Sequence, residues 1–125
     1  VRSLVQGKRV VLIDDSIVRG TTSKRIVRML KEAGATEVHV RIGCPPICHP
    51  CFYGIDTSTY AELISAANDV ESVRRIIGAD SLCFLDCQSL LKAANREDMC
   101  LACYNGQYPT HLYQTKTDFN MERKF

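Results

Sequence analysis

Hydrophobic and polar positions alternate along the chain with two different periods. Val10-Val-Leu-Ile13 is a short apolar run bounded by charge, the pattern of a parallel strand buried on both faces. Ile26, Met29, Leu30 and Ala33 recur at helical spacing, which predicts a helix starting at Thr22 or Ser23 under a hydroxyl N-cap and closed by Gly34. Glu37-Val-His-Val-Arg-Ile42 switches to strict alternation and puts Val38, Val40 and Ile42 on one face of a second strand. Strand, helix, strand in this order imply a right-handed parallel crossover.

Residues 43–56 carry Pro45, Pro46, Pro50 and Gly54 and read as a loop. Thr59 and Glu62 have the spacing of a capping box for a helix through Leu63 and Ile64. Asp69 is placed to cap a short helix running to Ile77 and closed by Gly78. Ser81–Leu85 reads as a third, shorter strand, and Gln88–Ala94 as a final helix. From Asn95 the chain turns polar and irregular, and residues 114–125 read as a polar tail. The fold class expected is α/β: a partial parallel sheet with an irregular, cysteine-containing C-terminal segment.

Composition narrows the function. A length of 125 residues with 46% apolar positions supports one domain with a real core. A net charge of +2 gives no reason to expect nucleic acid or an anionic membrane as partner. No apolar run approaches the ~20 residues that span a bilayer, and no secretory leader is apparent. Seven cysteines is a high and odd number, which argues against a closed set of disulfides and for thiols in a metal or cluster site.

The chemistry concentrates at the end of the first strand. Asp14 and Asp15 sit where that strand emerges at its carboxyl end, the position at which open α/β sheets bind ligands. Gly20, Thr21 and Thr22 follow and open the helix, where free N–H groups and the helix dipole favour a phosphate. Paired carboxylates beside them suit a divalent cation or sugar hydroxyls. The residues therefore read as a site for a phosphorylated sugar with Mg²⁺. Arg19 reads equally as a phosphate ligand or as a solvated loop arginine, and Lys24 and Arg25 read as solvated.

Asp14-Asp-Ser-Ile-Val-Arg-Gly-Thr-Thr22 resembles the signature of type I phosphoribosyltransferases, which bind 5-phosphoribosyl-1-pyrophosphate (PRPP). Its wording is similar to that of the amidophosphoribosyltransferase family, and the resemblance runs from Val1 to about Tyr113. It implies that residues 1–113 are the C-terminal part of a phosphoribosyltransferase domain. Asp14 and Asp15 would meet the ribose hydroxyls and the Mg²⁺ that PRPP brings. Ser16, Ile17, Val18, Arg19, Gly20, Thr21 and Thr22 would wrap the 5′-phosphate, with Gly20 letting the backbone come close to it. No protein nucleophile is required, since positioning and charge stabilisation carry such a transfer.

Cys48-His-Pro-Cys51 and Cys100-Leu-Ala-Cys103 form two C-x-x-C pairs, read by themselves as one four-thiolate site for Zn²⁺ or an iron–sulfur cluster. The separation between the pairs is longer than in zinc ribbons. His49-Pro-Cys-Phe-Tyr-Gly-Ile-Asp56, Cys100–Tyr104 and Tyr108-Pro-Thr110 resemble the iron–sulfur subgroup of amidophosphoribosyltransferases. That resemblance implies a four-iron, four-sulfur cubane on Cys51, Cys100 and Cys103. Its fourth cysteine falls upstream of the phosphate loop, outside these residues, and Cys48 is the in-chain alternative. Cys83 reads as a core residue; Cys44 and Cys87 read as buried thiols at strand ends. His39, His49 and His111 read as structural or surface residues.

The resemblance implies the first committed step of purine synthesis: glutamine, PRPP and water give 5-phosphoribosylamine, glutamate and pyrophosphate. It also implies a cytoplasmic homo-oligomer and a glutaminase domain that these 125 residues do not include, so the expectation is that they do not complete the reaction alone. The competing reading is a non-catalytic PRPP-binding regulator, which would have no use for the cysteine ligands.

Overall fold

The computed structural model describes residues 2–111. The tail expected over 114–125 lies outside the described residues. Three strands, β1 (Arg9–Asp14), β2 (Glu37–Ile42) and β3 (Ser81–Phe84), form one parallel sheet in the order β1-β2-β3. Leu12 pairs with Val40 and Val40 with Leu82, while Asp14, Ile42 and Phe84 line up across the strand ends. This register delivers Val38, Val40 and Ile42 to one face, where all three are buried.

Helix α1 (Arg2–Val5) precedes β1, a turn the sequence pattern did not suggest. Helices α2 (Thr21–Glu32) and α4 (Val70–Ile77) pack against each other and against the same side of the sheet. The core comprises Ile17, Val27, Val38, Val40, Ile42, Cys44, Val73, Ile77 and Ala79. Glycine closes both helices as the sequence predicts. Gly34 takes φ +96° while the Ala35 N–H reaches back to Leu30 and the Gly34 N–H to Lys31, a Schellman closure. Asp69 caps α4 by accepting the Ser72 N–H at 2.7 Å.

Several expectations change. β1 is covered on one face only: Val11 and Ile13 are 60% and 77% exposed, because both packing helices lie on the other side. Cys83 points to that same bare face and is exposed, so it is not a core residue. Helix α2 starts at Thr21, and its N-cap is Gly20 with no capping side chain. The helix expected around Leu63 is broken in two: a 3₁₀ turn over Tyr60–Glu62, then α3 (Ile64–Ala67), with Leu63 extended between them.

Helix α5 (Cys87–Ala94) begins one residue earlier than the periodicity predicts, because Asp86 caps it through the Ser89 N–H. It is not the last helix. α6 (Ala102–Asn105) turns the segment after Asn95 back onto the 43–59 loop, with Ala102 and Tyr108 buried. The backbone N–H groups of Cys48 and His49 both donate to the Cys103 carbonyl, and the Tyr108 hydroxyl donates to the Pro50 carbonyl at 2.7 Å.

Candidate functional site

The loop of residues 15–20 leaves β1 as its alternating strand geometry ends. The Asp14 carboxylate accepts the Asp15 N–H at 3.0 Å, and the Asp15 carboxylate accepts the Ser16 N–H at 2.9 Å. The chain is thereby turned sharply with both acids at the mouth of the loop. Ile17 dips into the core at 2% exposed and anchors the loop from beneath, so what it offers a ligand is backbone. Val18 and Arg19 cross the rim, and Gly20 turns the chain into α2 at φ +76°.

These residues enclose one cavity of about 300 Å³, lined by Asp14 through Ser23 without a break. All nine residues singled out in the sequence share it. Ser23, the third residue of α2, joins them, buried at 4% exposed; the sequence offered it only as an alternative helix start and not as a site residue. Without a capping side chain on α2, its first N–H groups are left free of intrahelical partners by helix geometry. Acidic groups at one end and N–H donors with two exposed threonines at the other suit a ligand with a cation-bound hydroxyl end and an anionic end.

Two residues of the loop have different reasons from those the sequence suggested. Gly20 is buried, and a Cβ there would meet Ile64 Cδ1 at 2.8 Å and Ile77 Cγ2 at 3.6 Å. Its missing side chain thus faces the helices behind the loop. Arg19 pairs with Glu62, whose carboxylate is held below the usual glutamate range by that hydrogen bond, while the Arg19 guanidinium is raised by it.

The cysteines divide into those that gather and those that do not. Cys51, Cys100 and Cys103 lie close enough for each of the other two to push the Cys103 thiol upward, adding to the larger effect of burial. The Cys51 sulfur also accepts the Tyr53 N–H at 3.4 Å, the kind of contact that steadies a cluster-bound thiolate. Cys48 turns away. Its thiol donates to the Ser65 carbonyl at 3.4 Å, and burial alone raises its pKa.

Among the described residues no three His, Cys, Asp or Glu side chains converge tightly enough for a single metal ion. A cubane spreads its ligands further apart, one to each iron, and three gathered thiols with a fourth supplied elsewhere fit that donor set. Cys44 is buried at the end of β2, where desolvation raises its pKa and Tyr104 hydrogen-bonds it; Cys87 is half-buried at the start of α5. The histidines carry structural bonds: His39 meets Ser81 at 2.9 Å and Glu37 at 2.7 Å, and His49 meets the Tyr60 hydroxyl at 3.1 Å.

No protein-family model matches the chain. Among curated proteins it is 62% identical over 120 residues to "Amidophosphoribosyltransferase" of Bacillus subtilis, covering 91% of this chain and 25% of that one. It is 56% identical over 112 residues to the protein of the same name from Methanocaldococcus jannaschii, covering 90% of this chain and 24% of that one. Over most of its length the chain is a homologue of amidophosphoribosyltransferases.

Among solved structures it matches the glutamine PRPP amidotransferase of B. subtilis complexed with ADP and GMP, with a TM-score of 0.84 at 62% identity. That match covers 91% of this chain and 26% of the other. The parallel α/β architecture is accordingly that of a type I phosphoribosyltransferase fold. The chain spans about a quarter of the length of the relatives it matches. Among the described residues no helix is long and apolar enough to cross a membrane.

Proposed function

We propose that this chain is the PRPP-binding part of an amidophosphoribosyltransferase of the iron–sulfur subgroup. The complete protein would convert glutamine, PRPP and water to 5-phosphoribosylamine, glutamate and pyrophosphate. The observation that carries the reading is the unbroken cavity lined by Asp14 through Ser23, in a chain 62% identical to a curated amidophosphoribosyltransferase.

Within that cavity Asp14 and Asp15 hold the ribose hydroxyls and the Mg²⁺ that accompanies PRPP. The N–H groups at the start of α2, with the Thr21 and Thr22 hydroxyls, hold the 5′-phosphate. Carboxylate acceptors at one end and N–H and hydroxyl donors at the other align the anomeric carbon for attack, and the enzyme contributes by positioning more than by covalent chemistry. Mg²⁺, when bound, neutralises charge on the departing pyrophosphate.

Cys51, Cys100 and Cys103 are the three cluster ligands that this chain supplies, with the fourth from outside it. A bound cluster would tie the loop that follows β2 to α6, so cluster assembly and local folding are one equilibrium. Glutamine enters through a glutaminase domain elsewhere in the protein, and the enzyme works in the cytoplasm as a homo-oligomer.

The test is calorimetric titration of the complete protein with PRPP and Mg²⁺, alongside glutamine-dependent PRPP consumption. Both activities are expected in the native protein, and Asp14→Asn or Asp15→Asn is expected to abolish PRPP binding. PRPP binding without glutamine-dependent turnover would instead establish the regulatory reading, and no PRPP binding at all would remove the site assignment.

A further inference from the structure

Glu62 lies 43 residues beyond Arg19 in sequence and outside the phosphate-loop signature, yet the segment containing it holds the loop at three consecutive positions. The Ile64 N–H donates to the Val18 carbonyl at 2.8 Å. The Arg19 guanidinium donates to the Glu62 carboxylate. Gly20 packs beneath the Ile64 side chain, whose Cδ1 would stand 2.8 Å from a Cβ at that position. The carboxylate of Glu62 is itself oriented, because hydrogen bonds from the Thr59 hydroxyl and backbone also hold it ionised. This is half of the capping box that the Thr59–Glu62 spacing suggests: the glutamate reaches back, while the threonine side chain caps nothing.

Arg19 is exposed (57%) and Glu62 half-buried (29%), so the pair stays within reach of solvent and adds little to global stability. Its consequence is geometric. Asp56 also lies within electrostatic reach of Arg19 and reinforces the attraction toward this segment. The guanidinium of Arg19, a residue of the cavity rim, is engaged by Glu62, and the loop backbone at 18–20 is held by Glu62 and Ile64, which do not line the cavity. We propose that Glu62 is a positioning residue for PRPP, acting through Arg19 to hold the phosphate loop in its binding shape. This rests on the PRPP reading above and adds to it a residue outside the signature.

The experiment is a double-mutant cycle in the complete protein: Arg19→Ala, Glu62→Ala and the double variant, each measured for PRPP KM, kcat, glutamine KM and melting temperature. Asp14→Asn serves as control for the PRPP site itself. If Glu62 works through Arg19, each single variant raises the PRPP KM roughly ten-fold with kcat, glutamine KM and melting temperature little changed. The double variant is then no worse than either single one, the non-additivity of two groups in one contact. Glu62→Asp should recover part of the loss.

If Arg19 instead serves the phosphate directly, freeing it by Glu62→Ala leaves the PRPP KM unchanged or lowers it, and the proposal is overturned. Additive losses, or losses that follow melting temperature alone, overturn it as well. Retained PRPP affinity in Asp14→Asn would point to failure of the underlying site, a result separable from both.

Discussion

The Cδ1 atom of Ile64 stands 2.8 Å from where a Cβ on Gly20 would lie, so a side chain at residue 20 requires the end of the Ile64 side chain to move. Gly20 also holds φ +76°, a conformation in which an L side chain is strained. Two independent penalties therefore fall on one position. Gly20→Ala is expected to destabilise the fold by roughly 1–3 kcal/mol from backbone strain, with the steric conflict in addition. Ile64→Ala on that background should recover the steric part and leave the strain. Denaturant unfolding of the native protein, the two single variants and the double variant checks it. A Gly20→Ala protein as stable as the native one would contradict the geometry.

The division among the cysteines predicts which replacements matter. Cys51→Ser, Cys100→Ser and Cys103→Ser are each expected to lower iron content and melting temperature in the complete protein, since a structural metal site contributes its binding energy to folding. Cys48→Ser should leave iron content unchanged, because that thiol is directed to the Ser65 carbonyl. Iron analysis decides it. A Cys48→Ser protein lacking iron would make Cys48 a ligand after all.

Asp80 carries a prediction about pH. Its carboxylate accepts the N–H of Val38, a fully buried residue, at 2.7 Å, and Lys31 approaches it at 3.2 Å. The Val38 contact comes first among the causes that hold the Asp80 pKa below its usual value. A carboxylate with a lowered folded pKa contributes fully above the unfolded value, about 3.9, and its contribution fades as pH falls through the folded one. Asp80→Ala is expected to cost about 1–2 kcal/mol at neutral pH, chiefly by stranding the Val38 N–H. The exposed lysine pair adds little. Native and variant proteins should differ by a constant amount from pH 8 to about 5 and converge in stronger acid. A gap that widens on acidification would contradict the sign.

Tyr108 is buried at 6% exposed, with its hydroxyl on Pro50 and its ring 5.3 Å from that of Phe52. Tyr108→Phe keeps the ring contact and strands the Pro50 carbonyl, at a cost of about 1 kcal/mol. Tyr108→Ala also removes the packing and should cost about 3–5 kcal/mol. Thermal melts of the two variants separate the contributions, and equal losses would mean that the ring contributes nothing.

Much of this protein is legible in the order of its residues because its signals are local. The run Val10–Ile13, the pair Asp14-Asp15 and the turn Gly20-Thr-Thr22 lie within thirteen consecutive positions. Strand, loop and helix N-terminus are adjacent in the chain, so their geometry follows from short-range sterics and hydrogen bonding. The Schellman closure at Gly34 and the Asp69 cap are local in the same way.

What depends on contacts between distant residues was settled only by the folded chain. Val11 and Ile13 read as buried, yet helices α2 and α4 both pack on the other face and leave them exposed. Gly20 reads as making room for a phosphate, but the group that occupies the space at its Cβ is Ile64. Arg19 reads as a phosphate ligand or a solvated cation, and its partner is Glu62. Cys48 and Cys51 are equivalent in a C-x-x-C pattern and are distinguished by whether the backbone aims the sulfur at Ser65 or toward Cys103. Hydrophobic period and turn chemistry act over a few residues and determine the elements. Which side of an element is covered, and which charge meets which, is decided by where segments tens of residues apart come to rest.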